Sequence, residues 1–63
     1  MPMVRVEWLE GRSHTQKAQL ADVITKAFVE IARVSPAQVW VVFHDVPKAD
    51  WAIGGNLLDV PSP

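Results

Sequence analysis

A proline occupies the second position of this chain, directly after Met1, at the head of the stretch MPMVRVEWLEGRS. A prolyl amide donates no hydrogen bond to a sheet, so Pro2 contributes little to a strand as a structural residue. Removal of Met1 would leave Pro2 with a free secondary amine, a base that can take up and return a proton. Proline in this place is also common without any chemical role, so the dipeptide alone is a weak indication of proton-transfer chemistry.

Other sets of reactive residues give weaker signals. His14, His44 and Asp45 have the side chains of metal ligands, but one histidine lies in the first turn of a predicted helix and the other near a predicted strand end. The glycines Gly54 and Gly55 precede no helix, so they do not form a phosphate-binding loop. Serine and cysteine nucleophile motifs are absent. We therefore expect neither a metal nor a cofactor.

The size of the chain predicts self-association. A domain of 63 residues buries only about 60% of the surface that its unfolded chain exposes. The chain contains no cysteine for a disulfide and no cluster at structural-zinc spacing, so association is the remaining common means of stabilisation. Hydrophobic residues make up 49% of the chain, more than so small an interior accommodates. We expect an oligomer.

Charge and hydropathy exclude two classes of partner. Six Lys and Arg are spread among seven Asp and Glu, for a net charge of -1, which gives no electrostatic footprint for nucleic acid. No apolar run approaches the ~20 residues that span a bilayer, and the start of the chain lacks the pattern of a signal peptide. The expected location is the cytoplasm.

The hydrophobic pattern predicts a β-α-β unit. Residues Met3 to Leu9 alternate as a strand does, and Ser13 and Gln16 have the spacing of a capping box that begins a helix. The helix is amphipathic, with Leu20, Ile24, Ala27, Phe28 and Ile31 on its apolar side, and it ends at VSPAQ because Pro36 disfavours the helical region for Ser35. A second alternating strand runs through VWVVFH. Strands joined by such a crossover helix run parallel.

The rest of the chain predicts an arm and an interface. The sheet face away from the helix carries apolar residues that one helix layer leaves uncovered: Met3, Leu9, Trp40 and Val42. The Gly54-Gly55 pair favours a short hairpin or arm after the second strand, with Ile53, Leu57 and Leu58 available to a neighbouring subunit. We predict one α+β domain over residues 1–63, with a loose tail over residues 59–63.

These pieces together resemble the 4-oxalocrotonate tautomerase family. The Pro2 start, a strand ending in LEGRS, a helix, a second strand and then VPKADWAIGG follow the order and spacing of that family over almost the whole chain. The resemblance implies a small β-α-β subunit, usually assembled as a hexamer that is a trimer of dimers. It also implies a cofactor-free keto-enol isomerase with Pro2 as general base after Met1 removal. A related, non-catalytic binding protein with Met1 retained is the alternative.

The resemblance also implies roles for four further residues. Arg12, in EGRS, matches the arginine that holds a substrate carboxylate or polarises its keto oxygen, which suits a planar, permanently charged guanidinium. Trp51 falls where the family carries an aromatic that keeps the pocket dry, with a plain interface anchor as the open alternative, and Leu9 is expected to line the same pocket. Trp40 stands where the dicarboxylate tautomerases carry a second arginine. The expected substrate is therefore a keto or enol monocarboxylate with an apolar or aromatic end, in a pocket shared between subunits.

The residues after Trp51 disfavour the dehalogenase branch of the family. The dehalogenase branch uses an additional acid to activate water, whereas Ala52 and Ile53 follow Trp51 here. Hydrolytic dehalogenation is therefore not expected.

Overall fold

The fold is one parallel strand pair with a helix on one face and a short hairpin beyond it. The computed structural model describes residues 1–61, whose elements are β1 (Met3–Leu9), α1 (His14–Ala32), β2 (Trp40–Val46), β3 (Ala52–Ile53) and β4 (Asn56–Leu57). β1 and β2 pair in parallel, and β3 and β4 pair antiparallel. The predicted β-α-β unit with a C-terminal hairpin is confirmed. The predicted tail over 59–63 includes residues 62 and 63, which lie outside the described residues.

The ends of α1 follow from its sequence. The Ser13 hydroxyl accepts a hydrogen bond from the Gln16 backbone N–H at 3.1 Å, and the Gln16 side-chain oxygen accepts one from the Ser13 N–H at 2.9 Å. The predicted capping box is therefore present. The helix ends before VSPAQ, because Arg33 adopts a left-handed conformation with φ 59° that terminates the helical hydrogen-bond pattern. Within residues 1–61 no helix has the length and hydropathy needed to cross a membrane.

The side chains of both strands alternate between the helix side and an open face. Val4, Val6, Val41 and Phe43 are half-buried on the side that α1 covers, as the alternation predicts. The residues between them form the open face of the sheet, and several of these are apolar and exposed: Met3, Trp40 and Val42. The sheet thus has one covered side and one uncovered apolar side.

The apolar stripe of α1 is wider than the sheet beneath it. Leu20, Ile24 and Phe28 are half-buried, as predicted. Ala27 and Ile31, predicted on the same side, are exposed, Ile31 at 82%, and Val23 is 62% exposed. Two strands spaced about 4.8 Å apart form a platform too narrow to cover the whole stripe.

A single subunit does not bury its own core. No residue among 1–61 falls in the fully buried class. The accessible surface is 4967 Å², whereas a compact monomer of this mass exposes about 4,000 Å². The radius of gyration is 15.4 Å, against about 11 Å for a compact domain of this length. The shape and the exposure both indicate a subunit that needs neighbours.

The hairpin extends this open shape. Gly54 and Gly55 have φ values of 60° and 84°, which the tight two-residue connection between β3 and β4 requires and which glycine adopts without strain. The Leu58 N–H donates to the Trp51 carbonyl at 2.9 Å and ties the base of the hairpin. Ile53 and Leu57 remain exposed, so the arm offers apolar surface to another subunit.

The uncovered surfaces lead to a prediction about assembly. We expect the purified protein to sediment as a multimer at micromolar concentration, because the open face and the arm gain stability only by being covered. Val42→Glu, which places a charge on the open face, should shift the protein towards smaller species in analytical ultracentrifugation. Val42→Ala, the matched apolar control, should associate more tightly than the glutamate variant. A folded, stable monomer of the unmutated chain would contradict the prediction.

Candidate active site

Pro2 and Trp40 lie side by side at the amino end of the sheet. The Trp40 backbone N–H donates to the Pro2 carbonyl at 3.0 Å, which extends the parallel ladder by one bond before β1 begins. Pro2 is half-buried, and the Trp40 side chain is 52% exposed on the open face. The Trp40 backbone is therefore adjacent to the residue whose nitrogen Met1 removal would free.

The backbone that carries Arg12 is fixed on both sides. Before it, the Glu10 N–H donates to the Val46 carbonyl at 3.0 Å. Gly11 has φ 123°, a conformation that side chains rarely adopt, so glycine is required at this turn. After it, Ser13 caps α1 through the hydrogen bonds described above. Arg12 thus lies on a short, well-defined loop at the carboxyl end of the sheet.

The Arg12 guanidinium lies over an aromatic ring. Its Cζ atom is 5.5 Å from the centre of the Trp8 ring, within the range of a cation–π interaction. Trp8 and Arg12 line a groove of about 370 Å³ along α1, with Gln16 and Leu20 among its other walls. Arg12 is exposed, so an anion in solution or on another subunit can reach it.

Trp8 belongs to a polar network that sequence reasoning missed. Its indole Nε1–H donates to Asp45 Oδ1 at 2.6 Å, and the Lys17 ammonium donates to Asp45 Oδ2. The Trp8 ring also stacks on Phe43, with the ring centres 5.3 Å apart. The residue that could have indicated this network is Asp45. It is an acid among the apolar helix-side residues of β2, where a carboxylate requires a hydrogen-bonding or charged partner.

This network keeps Asp45 ionised. The hydrogen bond from Lys17, and then the one from Trp8, lowers the pKa of the Asp45 carboxyl below its usual value, and nearby His44 acts in the same direction. Both carboxylate oxygens have protein donors, so Asp45 is not free for the metal set that includes His14 and His44. Across residues 1–61 no group of three or more histidines, cysteines or acids is placed to hold a metal.

Trp51 lines a different groove. It is half-buried and follows the short turn Lys48–Asp50, where its backbone N–H donates to the Lys48 carbonyl at 3.3 Å. The groove measures about 500 Å³, and its walls include Glu7, His44 and Asp50 on the open side of the sheet. Leu9, opposite Val46 in the register, is half-buried at the same end of the sheet.

One subunit does not bring the predicted site residues together. Seven residue steps separate Pro2 from Leu9, which at about 3.3 Å each places these two residues about 23 Å apart. Pro2 and Trp40 are at the amino end, whereas Leu9, Arg12 and Trp51 are at the carboxyl end. At that end Arg12 faces the helix side, over Trp8, and Trp51 faces the groove on the open side. A site with Pro2 and Arg12 in contact with one ligand requires more than one subunit.

Comparison with known proteins gives a consistent result across nearly the whole chain. The family model described as tautomerase enzyme matches residues 2–60. A 2-hydroxymuconate tautomerase from Comamonas testosteroni is 44% identical over 55 residues, covering 87% of each chain.

Solved structures share the fold. A 4-oxalocrotonate tautomerase isozyme from Methylibium petroleiphilum superposes with a TM-score of 0.81 at 34% identity, covering 92% of this chain and 94% of that one. A heterohexamer 4-oxalocrotonate tautomerase from Chloroflexus aurantiacus superposes with a TM-score of 0.82 at 36% identity, covering 94% and 95%. The arrangement of β1, α1, β2 and the hairpin is therefore one that known tautomerases share.

Proposed function

This chain belongs to the tautomerase family, and we propose that it interconverts the enol and keto forms of a 2-hydroxy-enoic or 2-keto acid with Pro2 as general base. That it is an isomerase of the tautomerase type follows from its relatives. The observation that carries the finer proposal is the position of Pro2, half-buried beside Trp40 at the head of β1. No cofactor is needed for a proton transfer of this kind.

The chemistry of Pro2 depends on its nitrogen. With Met1 attached the nitrogen is an amide, whereas removal of Met1 gives a secondary amine. An apolar surrounding and a nearby cation both lower the pKa of an amine towards neutrality, where a base is most effective. The free amine takes the proton from the substrate's 2-hydroxyl group, and the O–H electron pair forms the carbonyl. The electron pair of the carbon–carbon double bond takes the proton from the ammonium, which forms the new C–H bond and regenerates the free amine.

Arg12 is proposed to bind the carboxylate of the substrate. A guanidinium presents several donors in one plane and stays charged at every working pH, which suits bidentate binding of a carboxylate. Because about 23 Å separates Pro2 from Leu9, at the Arg12 end of the strand, the Arg12 that acts with a given Pro2 belongs to a neighbouring subunit. Leu9 and Trp51 are proposed as apolar walls of the same shared pocket.

The proposed assembly is a homohexamer built as a trimer of dimers. The uncovered sheet face and the exposed arm residues support an assembly in which each subunit has several neighbours. The relative from Chloroflexus aurantiacus is a heterohexamer. The alternative is therefore an assembly with a related partner chain, which a mass measurement of the assembly would detect. In either assembly the pocket lies between subunits.

Trp40 supports a monocarboxylate as substrate. Its backbone N–H donates to the Pro2 carbonyl at 3.0 Å, and it stands in the place where the dicarboxylate tautomerases carry a second arginine. A tryptophan offers a flat apolar surface and no charge for a second carboxylate. An arylpyruvate enol, with one carboxylate and one aromatic end, fits this combination better than a muconate-type diacid.

The first prediction of this proposal concerns Pro2. Pro2→Ala should lower the kcat for ketonisation of phenylenolpyruvate far more than it lowers stability, because a primary amine remains a base but differs in pKa and placement. Protein with Met1 retained should be nearly inactive, since its Pro2 nitrogen is an amide. Intact-mass measurement identifies which form is present in each preparation. Equal rates for Pro2→Ala and the unmutated protein would assign the base elsewhere.

The second prediction concerns Trp40. The absence of a second cationic partner costs a diacid about 1.5 to 3 kcal/mol of binding, roughly a ten- to hundredfold penalty. The kcat/KM of the Met1-free protein should therefore be higher for phenylenolpyruvate than for 2-hydroxymuconate. Trp40→Arg should shift the preference towards the diacid, whereas the control Trp40→Leu should weaken use of the aromatic substrate without improving the diacid. A preference of the unmutated protein for the diacid would contradict the assignment.

A further inference from the structure

Arg12 is held by a ring face and not by a carboxylate. Its Cζ atom lies 5.5 Å from the centre of the Trp8 ring. The ion pairs within residues 1–61 are Lys17–Asp45 and Lys26–Asp22, and neither includes Arg12. The N–H groups of the guanidinium, which no acid among these residues occupies, are available to an anionic ligand.

Trp8 is itself fixed in position. The register places it directly opposite Asp45 in the parallel pair, and its Nε1–H donates to Asp45 Oδ1 at 2.6 Å. Phe43 supports one face of the ring, with an interplanar angle of 22° and ring centres 5.3 Å apart. A ring held at its edge and on its face gives Arg12 a platform of defined orientation.

Lys17 completes the arrangement from the helix. Its ammonium donates to the second oxygen of Asp45, so the carboxylate charge is compensated by α1. An uncompensated Asp45 next to Trp8 would attract the Arg12 guanidinium and occupy its donors. Asp45 therefore orients the indole of Trp8 through one oxygen. Its pairing with Lys17 through the other oxygen leaves Arg12 without an acidic partner.

We propose that Trp8 is a positioning residue for Arg12, and that Asp45, paired with Lys17, orients Trp8 through its indole N–H. The inference rests on the proposed function, in which Arg12 binds the substrate carboxylate. A residue that holds Arg12 in a binding-ready orientation lowers the ordering cost of binding. The carboxylate is bound alike in the ground state and the transition state, so loss of the platform raises KM and leaves kcat nearly unchanged.

The test compares two substitutions at Trp8 with a matched control on the Met1-free protein. With phenylenolpyruvate as substrate, Trp8→Leu should raise KM about three- to tenfold, in line with the strength of a cation–π contact, with kcat within about twofold. Trp8→Phe retains an aromatic face and should fall between Trp8→Leu and the unmutated protein. Val6→Ala, on the same side of β1, removes packing without touching Arg12, and should leave KM unchanged.

A double-mutant cycle with Arg12→Ala separates positioning from general damage. If Trp8 acts through Arg12, Trp8→Leu should raise KM no further in the Arg12→Ala background. Additive effects of the two substitutions, or a KM for Trp8→Leu equal to that of Val6→Ala, would overturn the inference while leaving the proposed function intact. An Arg12→Ala variant with unchanged kinetics would instead overturn the proposed function itself.

Substitutions at Asp45 keep the inference testable if Trp8→Leu does not fold. Asp45→Asn retains an oxygen that accepts from the indole N–H, whereas Asp45→Val removes it. We expect KM to rise more for Asp45→Val than for Asp45→Asn, and the excess to disappear when Arg12 is replaced by alanine. Equal KM values for the two variants would contradict the orienting contact between Asp45 and Trp8.

Discussion

The parallel pairing of β1 with β2 sets both the shape of the subunit and the distance between Pro2 and Arg12, the two proposed site residues. Seven residues of each strand run side by side from Met3 and Trp40 to Leu9 and Val46. This pairing places Pro2 at one end of a rigid element and Arg12 just beyond the other, about 23 Å of strand apart. A two-stranded sheet also has too little width to cover one helix, so no described residue is fully buried.

Contact with neighbouring subunits would complete both the hydrophobic core and the candidate site. In the proposed assembly, neighbouring subunits that cover Met3, Trp40 and Val42 would remove apolar surface from water, and the same contacts would bring the distant end of another β1 to the prolyl nitrogen. The proposal thus couples stability to catalysis, because a dissociated subunit would have neither a buried core nor a complete pocket. The exposed hairpin, with Ile53 at 64% exposure, extends the surface available for such contacts.

Local features of the sequence predicted the helix, the strands and the hairpin turn. The features that the sequence did not predict depend on contacts between residues far apart in the chain. The alternation in β1, the Ser13 capping box and the Gly54-Gly55 turn each depend on residues close in sequence, so their patterns are legible in the chain. The contact between Trp8 and Asp45 joins residues 37 positions apart and requires the strand register. The exposure of Ile31 likewise depends on how much of α1 the narrow sheet covers. For the candidate site, the sequence and its family resemblance predicted the residue types and a pocket shared between subunits, whereas the placement of Pro2 and Arg12 at opposite ends of β1 required the fold.

Subunit mixing tests most directly whether Pro2 and Arg12 act together from different chains. Pro2→Ala and Arg12→Ala proteins, both free of Met1, are unfolded, combined and refolded, and native mass spectrometry then establishes that mixed assemblies have formed. A shared pocket predicts that some interfaces pair an intact Pro2 with an intact Arg12, so ketonisation activity rises above the sum of the two separate preparations. Mixed assemblies with no activity beyond that sum would contradict the account.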